Sequence, residues 1–230
     1  MLINLKNKEK KMKIENYKKM VELQHSFNIL AMGENYLDLN LNWNSAIIAE
    51  SGEMLDSLGY KWWKKQEVDM DNAKVEAIDL LHFVISERMQ SYNHSEFDTI
   101  IETSRDFSVF NSKVFKNGFF LYGEDIKNNI NTLNYDKIDR FMVLKEIFNK
   151  LEMSNEDVYI AYIVKNCLNK FRQNNGYKEG TYQKIWIDKE DNVVAYELAK
   201  NIGADENLFD LLYDELETTY SYYFKSGVKK

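Results

Sequence analysis

No proline occurs anywhere in the 230 residues, where ordinary usage of roughly 5% would supply about eleven. Proline breaks or kinks a helix because it lacks the backbone N–H and its ring clashes with the preceding turn, so this chain carries no helix breakers of that kind. Strand-and-turn architectures need Pro and Gly punctuation. The nine glycines are few, and Gly52 apart they fall between periodic stretches rather than inside them. The chain reads as all-α, a multi-helix bundle forming a single domain over residues 1–230.

Apolar residues at three- and four-residue steps predict the helices. Residues 15–32 carry Met20, Val21, Gln24, Phe27, Asn28 and Ala31 on one face, closed by Gly33. Residues 43–58 and 70–92 follow, then 135–151, 155–173, 193–202 and 206–223, with a glycine-bounded turn over 174–180. Across residues 96–123 the pattern blurs into short helices or loop, and residues 96–150 are read as a variable region. No fixed-period repeat or low-complexity linker marks a domain boundary.

Thirty Lys+Arg against 37 Asp+Glu leave a net charge of −7, which argues against a nucleic-acid backbone as partner. One cysteine, Cys167, allows no internal disulfide, as suits a reducing compartment. The first twenty residues lack an apolar core for a signal peptide, and the longest apolar run, residues 158–164, is far short of a membrane span. A cytoplasmic protein with no membrane partner is expected.

Glu50 and Glu53 lie three residues apart on one predicted helix, and Glu76 and Asp79 repeat the spacing on the next. Ala46, Ile47 and Met54 flank the first pair, and Ile78, Leu80, Leu81 and Phe83 the second. Carboxylates gathered on such half-buried faces repel one another and lose hydration unless divalent cations neutralise them. Oxygen-only donors favour Mg²⁺, with Mn²⁺ as the alternative. The same pairs also read as solvated surface, since Asp214 and Glu217 share the spacing. A di-iron bundle fits less well: Glu22–His25 supplies its Glu-x-x-His once, and Asp79–His82 only imperfectly. A calcium loop at residues 188–199 fails, with Val193 at the glycine position and Ala199 at the glutamate position.

Between residues 165 and 184, five cations (Lys165, Lys170, Arg172, Lys178 and Lys184) face one acid, Glu179. Lys165, Asn169 and Arg172 share a helix face, and Lys178, Tyr182 and Lys184 follow across the glycine turn, an arrangement suited to polyphosphate oxygens or to an exposed basic face. Metal acids together with a cationic clamp are what phosphoryl chemistry requires.

Glu50-x-x-Glu53, Glu76-x-x-Asp79, the segment FRQNNGYKEGTYQKIW and the later EDN at Glu190–Asn192 resemble the dimeric deoxyuridine triphosphatases of the all-α nucleotide pyrophosphatase superfamily. One departure is Asp188–Lys189 before EDN, where a glycine-containing turn is expected. The resemblance implies an all-α homodimer that hydrolyses dUTP and dUDP to dUMP with Mg²⁺, attacking at the β-phosphorus, with Glu50, Glu53, Glu76 and Asp79 as metal ligands. Glu50 and Glu53 are assigned to orient and deprotonate the water. The resemblance also points to Gln24 and Asn28 for the uracil, two amides one turn apart, each offering a donor and an acceptor. Trp63, His82 and Phe83 are base or sugar contacts by the same analogy, Phe83 crowding a ribose 2′-hydroxyl. Two other readings stay open: a relative acting on another noncanonical nucleoside triphosphate, and a helical interaction protein without activity.

Overall fold

The computed structural model describes residues 14–91, 126–133, 139–203 and 207–225. Among them are eight α-helices: α1 (Ile14–Met32), α2 (Trp43–Ser57), α3 (Met70–Gln90), α4 (Ile126–Thr132), α5 (Arg140–Lys150), α6 (Asn155–Asn174), α7 (Asp191–Ile202) and α8 (Leu208–Tyr220). A single hairpin of two-residue strands, β1 (Ile185–Trp186) and β2 (Lys189–Glu190), is the one sheet described. The all-α expectation holds, and α4 and the hairpin are additions to it. The blurred stretch at 96–123 and the predicted helix start at 135 lie outside the described residues. Two compact units emerge, residues 1–19 with 40–159 and residues 20–39 with 160–230.

The first unit is organised by α3. Its Ala73, Ala77, Ile78, Leu80, Leu81, Val84, Ile85 and Met89 are buried, and these positions cover more than one face, the pattern of a helix enclosed by others. Both α2 and α5 pack on it, and α4 packs on α5 and α2. The α2–α3 pair runs antiparallel and is tied at both ends. Gln90 at the end of α3 accepts from Trp43 Nε1 (2.7 Å) and the Leu41 amide (3.2 Å) at the start of α2. At the other end Asn72 donates to Ser57 Oγ (2.7 Å), and the Asp69 amide donates to the Ser57 carbonyl (2.8 Å). Side-chain caps start both helices: Asn42 accepts from the Ser45 amide and Asp69 from the Asn72 amide. Arg140 then fastens α5, donating to Glu87 on α3, to Asn44 on α2 and to the Leu133 carbonyl (2.8 Å).

In the second unit α6 is central, with residues 161–168 buried without interruption. Phe171 sits in an aromatic box, edge-to-face with Tyr182, Trp186, Tyr213 and Tyr220 at 5.4–6.2 Å between centroids. Tyr182 and Tyr220 stack at 5.3 Å. Such pairs add to the area they bury, and they fasten the hairpin and α8 onto α6. Cys167 is buried, its thiol donating to the Phe209 carbonyl, and burial raises its pKa, so it is an inert core residue. Gly176 turns the chain after α6 at φ +89°, where a Cβ would collide with Thr181 Oγ1.

The hairpin explains the unusual Asp188–Lys189. Ile185 pairs with Glu190 and Trp186 with Lys189, leaving Ile187 and Asp188 as a two-residue loop. Such loops require positive φ at their first position. Ile187 adopts φ +66°, a strained conformation for a β-branched residue, and its side chain is half exposed. Ile187→Gly is expected to raise stability by about 1 kcal/mol after the entropic cost of glycine, or roughly 2–4 °C in Tm, with packing unchanged. Chemical denaturation checks this; a lower midpoint would show that the isoleucine side chain contributes more than its backbone costs.

Candidate functional site

The antiparallel register of α2 and α3 decides which acids meet. With Trp43 opposite Gln90 and Ser57 opposite Asn72, position 50 falls level with the middle of α3. Glu50, Glu76 and Asp79 accordingly bring one carboxylate oxygen each to within 4.8 Å of one another. Glu76 is buried and the other two are half-buried. Asn72 orients Glu76 by donating to its Oε1 (3.1 Å). Burial first, then the negative charges of Asp79, Glu53 and Glu76, push the Glu50 carboxyl up to about 8, and its hydrogen bond to Glu76 also favours the protonated form. Three carboxylates gathered in this way can hold a metal ion, and their hard oxygen donors suit a divalent cation.

Glu53 stands apart from this group of three. It is exposed and lines an open cavity of about 770 Å³ together with Gly52, Asp56, Lys61, Lys64 and Glu76. Trp63 is 60% exposed and meets Tyr60 and Trp62 edge-on. His82 is buried, and its Nδ1–H donates to the Ile78 carbonyl (2.8 Å), since a carbonyl can only accept. Phe83 is half-buried and tilted against Trp43 at 6.2 Å.

Around Asp191 in the second unit the expected phosphate residues meet an acid that the sequence reading did not single out. Arg172 donates through Nε and Nη2 to the two Asp191 oxygens (both 2.8 Å), and Tyr182 donates to Oδ2 (2.8 Å). Arg172 also donates to Asn169 (3.4 Å) and Asn192 (3.3 Å), and Lys165 to Asn192 (3.4 Å). Asp191 is 1% exposed and Arg172 8%, so this is a buried, bidentate pair. Lys178 and Lys184 are exposed, Lys184 lying over the Tyr177 ring. The structure thus joins Lys165, Asn169, Arg172 and Tyr182 through Asp191 and Asn192. The only sequence signal for that hub was the EDN triplet.

Gln24 and Asn28 are buried on α1 and bonded to each other, Gln24 Nε2 donating to Asn28 Oδ1 (2.9 Å). Tyr162 and Asn166 of α6 both donate to Gln24 Oε1 (2.8 and 3.4 Å). These two partners were not anticipated; their i, i+4 spacing in a continuously buried stretch resembles ordinary core.

The family model described as dUTPase matches residues 16–177. No curated protein matches the chain. Among the described residues, no helix is long and apolar enough to cross a membrane.

The raised Glu50 carboxyl has a measurable consequence. A group whose folded pKa lies above its unfolded value favours folding below the unfolded value, and that contribution is lost as pH rises through the folded one. In chelator-treated protein, stability should therefore fall from the ordinary value of 4.5 up to about pH 8. Glu50→Gln should flatten this slope and melt higher than wild type at pH 9. Thermal melts across pH test it, and parallel wild-type and variant profiles would remove Glu50 as the cause.

Proposed function

The chain belongs to the dUTPase family, and on that premise we propose that Glu50, Glu53, Glu76 and Asp79 form the Mg²⁺-dependent centre of its reaction, with Mn²⁺ as a substitute. The reaction itself, hydrolysis of dUTP and dUDP to dUMP, is that of the family. The observation that carries the site reading is the convergence of Glu50, Glu76 and Asp79 to within 4.8 Å, a concentration of negative charge that calls for a cation.

When bound, a divalent cation supplies Lewis-acid polarisation of phosphate oxygens and eases deprotonation of water. The protein's own residues do the rest. Asn72 holds Glu76 in orientation, and Asp79 and Glu76 set the local negative charge that governs Glu50. Glu50 takes the proton of the attacking water on its carboxylate. Glu53, one turn on and exposed, completes the ligand set from the cavity side. Water's oxygen joins phosphorus as the anhydride P–O bond breaks, so no covalent enzyme intermediate is needed.

In the second unit, Lys165, Asn169, Arg172, Lys178 and Lys184 meet phosphate oxygens, and Tyr182 anchors the turn that carries the last two. Gln24 and Asn28 read the uracil, while Trp63, His82 and Phe83 serve the base and sugar. The protein acts as one catalytic domain, as a homodimer, and in the cytoplasm, where it keeps uracil out of DNA and supplies dUMP.

Glu50→Gln, Glu76→Gln and Asp79→Asn are each expected to lower turnover by at least about a hundredfold, the cost of removing a major electrostatic group, while helical circular dichroism stays unchanged. The assay is Mg²⁺-dependent release of pyrophosphate across a panel of dNTPs and NTPs. Near-normal turnover of the Glu76 or Asp79 variant at saturating Mg²⁺ would overturn the metal assignment, and equal hydrolysis of dCTP or UTP would overturn the proposed uracil and deoxyribose contacts.

A further inference from the structure

Discrimination between uracil and cytosine is a question of hydrogen-bond polarity. Uracil offers a donor at N3 and an acceptor at its C4 oxygen; cytosine offers the reverse at both positions. A side-chain amide has a carbonyl at one end and an NH₂ at the other, so an amide free to turn over serves either base. Only an amide held in one orientation can tell them apart.

Gln24 is held in this way. Its Oε1 receives two donors from α6, the Tyr162 hydroxyl at 2.8 Å and Asn166 Nδ2 at 3.4 Å. Its Nε2 donates to Asn28 Oδ1 at 2.9 Å. Turning the Gln24 amide over would set NH₂ against the Asn166 NH₂ and carbonyl against the Asn28 carbonyl. All four side chains are at least nine-tenths buried, so water cannot repair such like-with-like contacts. The tyrosine hydroxyl also lies 3.3 Å from the Met20 carbonyl, but Gln24 Oε1 is the nearer acceptor.

Asn28 in turn hydrogen-bonds Tyr36, whose hydroxyl lies 2.8 Å from His25 Nδ1. At the other end of this chain of bonds α6 meets Gln24 through Tyr162 and Asn166.

We propose that Tyr162 and Asn166 are specificity-determining positioning residues: by aiming two donors at Gln24 Oε1 they fix the orientation of Gln24, and through it Asn28, and so make these amides select uracil over cytosine. This rests on the reading that Gln24 and Asn28 meet the base. Neither Tyr162 nor Asn166 needs to touch the nucleotide; whichever remaining donors and acceptors of the two amides face it, their places are assigned by this clamp.

The experiment measures Kd for dUMP and dCMP by calorimetry in wild type, Tyr162→Phe, Asn166→Asp and Gln24→Leu, with Tm for each. Tyr162→Phe keeps the ring and its packing and deletes only the hydroxyl. Asn166→Asp keeps the shape and turns a donor into an acceptor. The dUMP-to-dCMP preference should fall about fivefold or more in the first and about tenfold or more in the second, the scale expected when a buried polar partner is lost or inverted. Should Asn166→Asp fail to fold, Tyr162→Phe alone decides. An unchanged preference in the variants that fold overturns the proposal. So does an equal loss of both nucleotides, the mark of a merely structural role. If Gln24→Leu loses the preference while the clamp variants keep it, only the clamp is wrong. If wild type shows no preference, or Gln24→Leu retains it, the base-contact reading itself fails and the clamp falls with it.

Discussion

Three carboxylates, from Glu50, Glu76 and Asp79, are pressed to within 4.8 Å of one another by two helices that have no freedom to separate. Gln90 ties the start of α2 to the end of α3, and Asn72 and Asp69 tie the opposite ends through Ser57. Arg140 locks the first turn of α5 to both helices of the pair. Because α3 is buried on most sides, relaxation by tilting would open a packed core, which costs more than rearranging a proton. The repulsion is met chemically instead, by holding a proton on Glu50 or by accepting a cation. A fold that keeps like charges together is a fold organised for a ligand of opposite charge.

The second unit solves a different problem by pairing opposite charges. Among its described residues the buried ion pair of Arg172 with Asp191 is bidentate and supported by the Tyr182 hydroxyl, so neither charge is left without a partner. That pair holds the start of α7 and the hairpin against α6, and the aromatic box around Phe171 reinforces it. The amides on α1 sit in a separate network with no formal charge at its centre. Charge suits a phosphate tail, which every nucleotide shares; hydrogen-bond polarity suits a base, which differs between nucleotides.

Helix positions were legible because apolar periodicity and the absence of proline act locally: the first three predicted helices match α1, α2 and α3 at their starts to within one residue. The acids at 50, 76 and 79 were legible because i, i+3 spacing on two successive antiparallel helices brings them together. Glu53 shares that spacing, yet it lies exposed, since only the register of α2 against α3, which no local pattern encodes, decides which turn faces the partner. Asp191 was marked only as the middle of the EDN triplet, with nothing local to show that it would pair with Arg172. The link from Gln24 to Tyr162 spans 138 positions, and the hairpin is too short for an alternating pattern and has Asp188–Lys189 where a glycine-containing turn was expected.

The most direct test of the account is calorimetric titration of Mn²⁺ into wild type and Glu76→Gln protein at pH 7.5. The account predicts saturable binding to wild type with release of protons, because Glu50 must lose its proton to become a ligand, and binding at least about tenfold weaker in the variant. Equal affinity in the two proteins, or binding with no proton release, would contradict it.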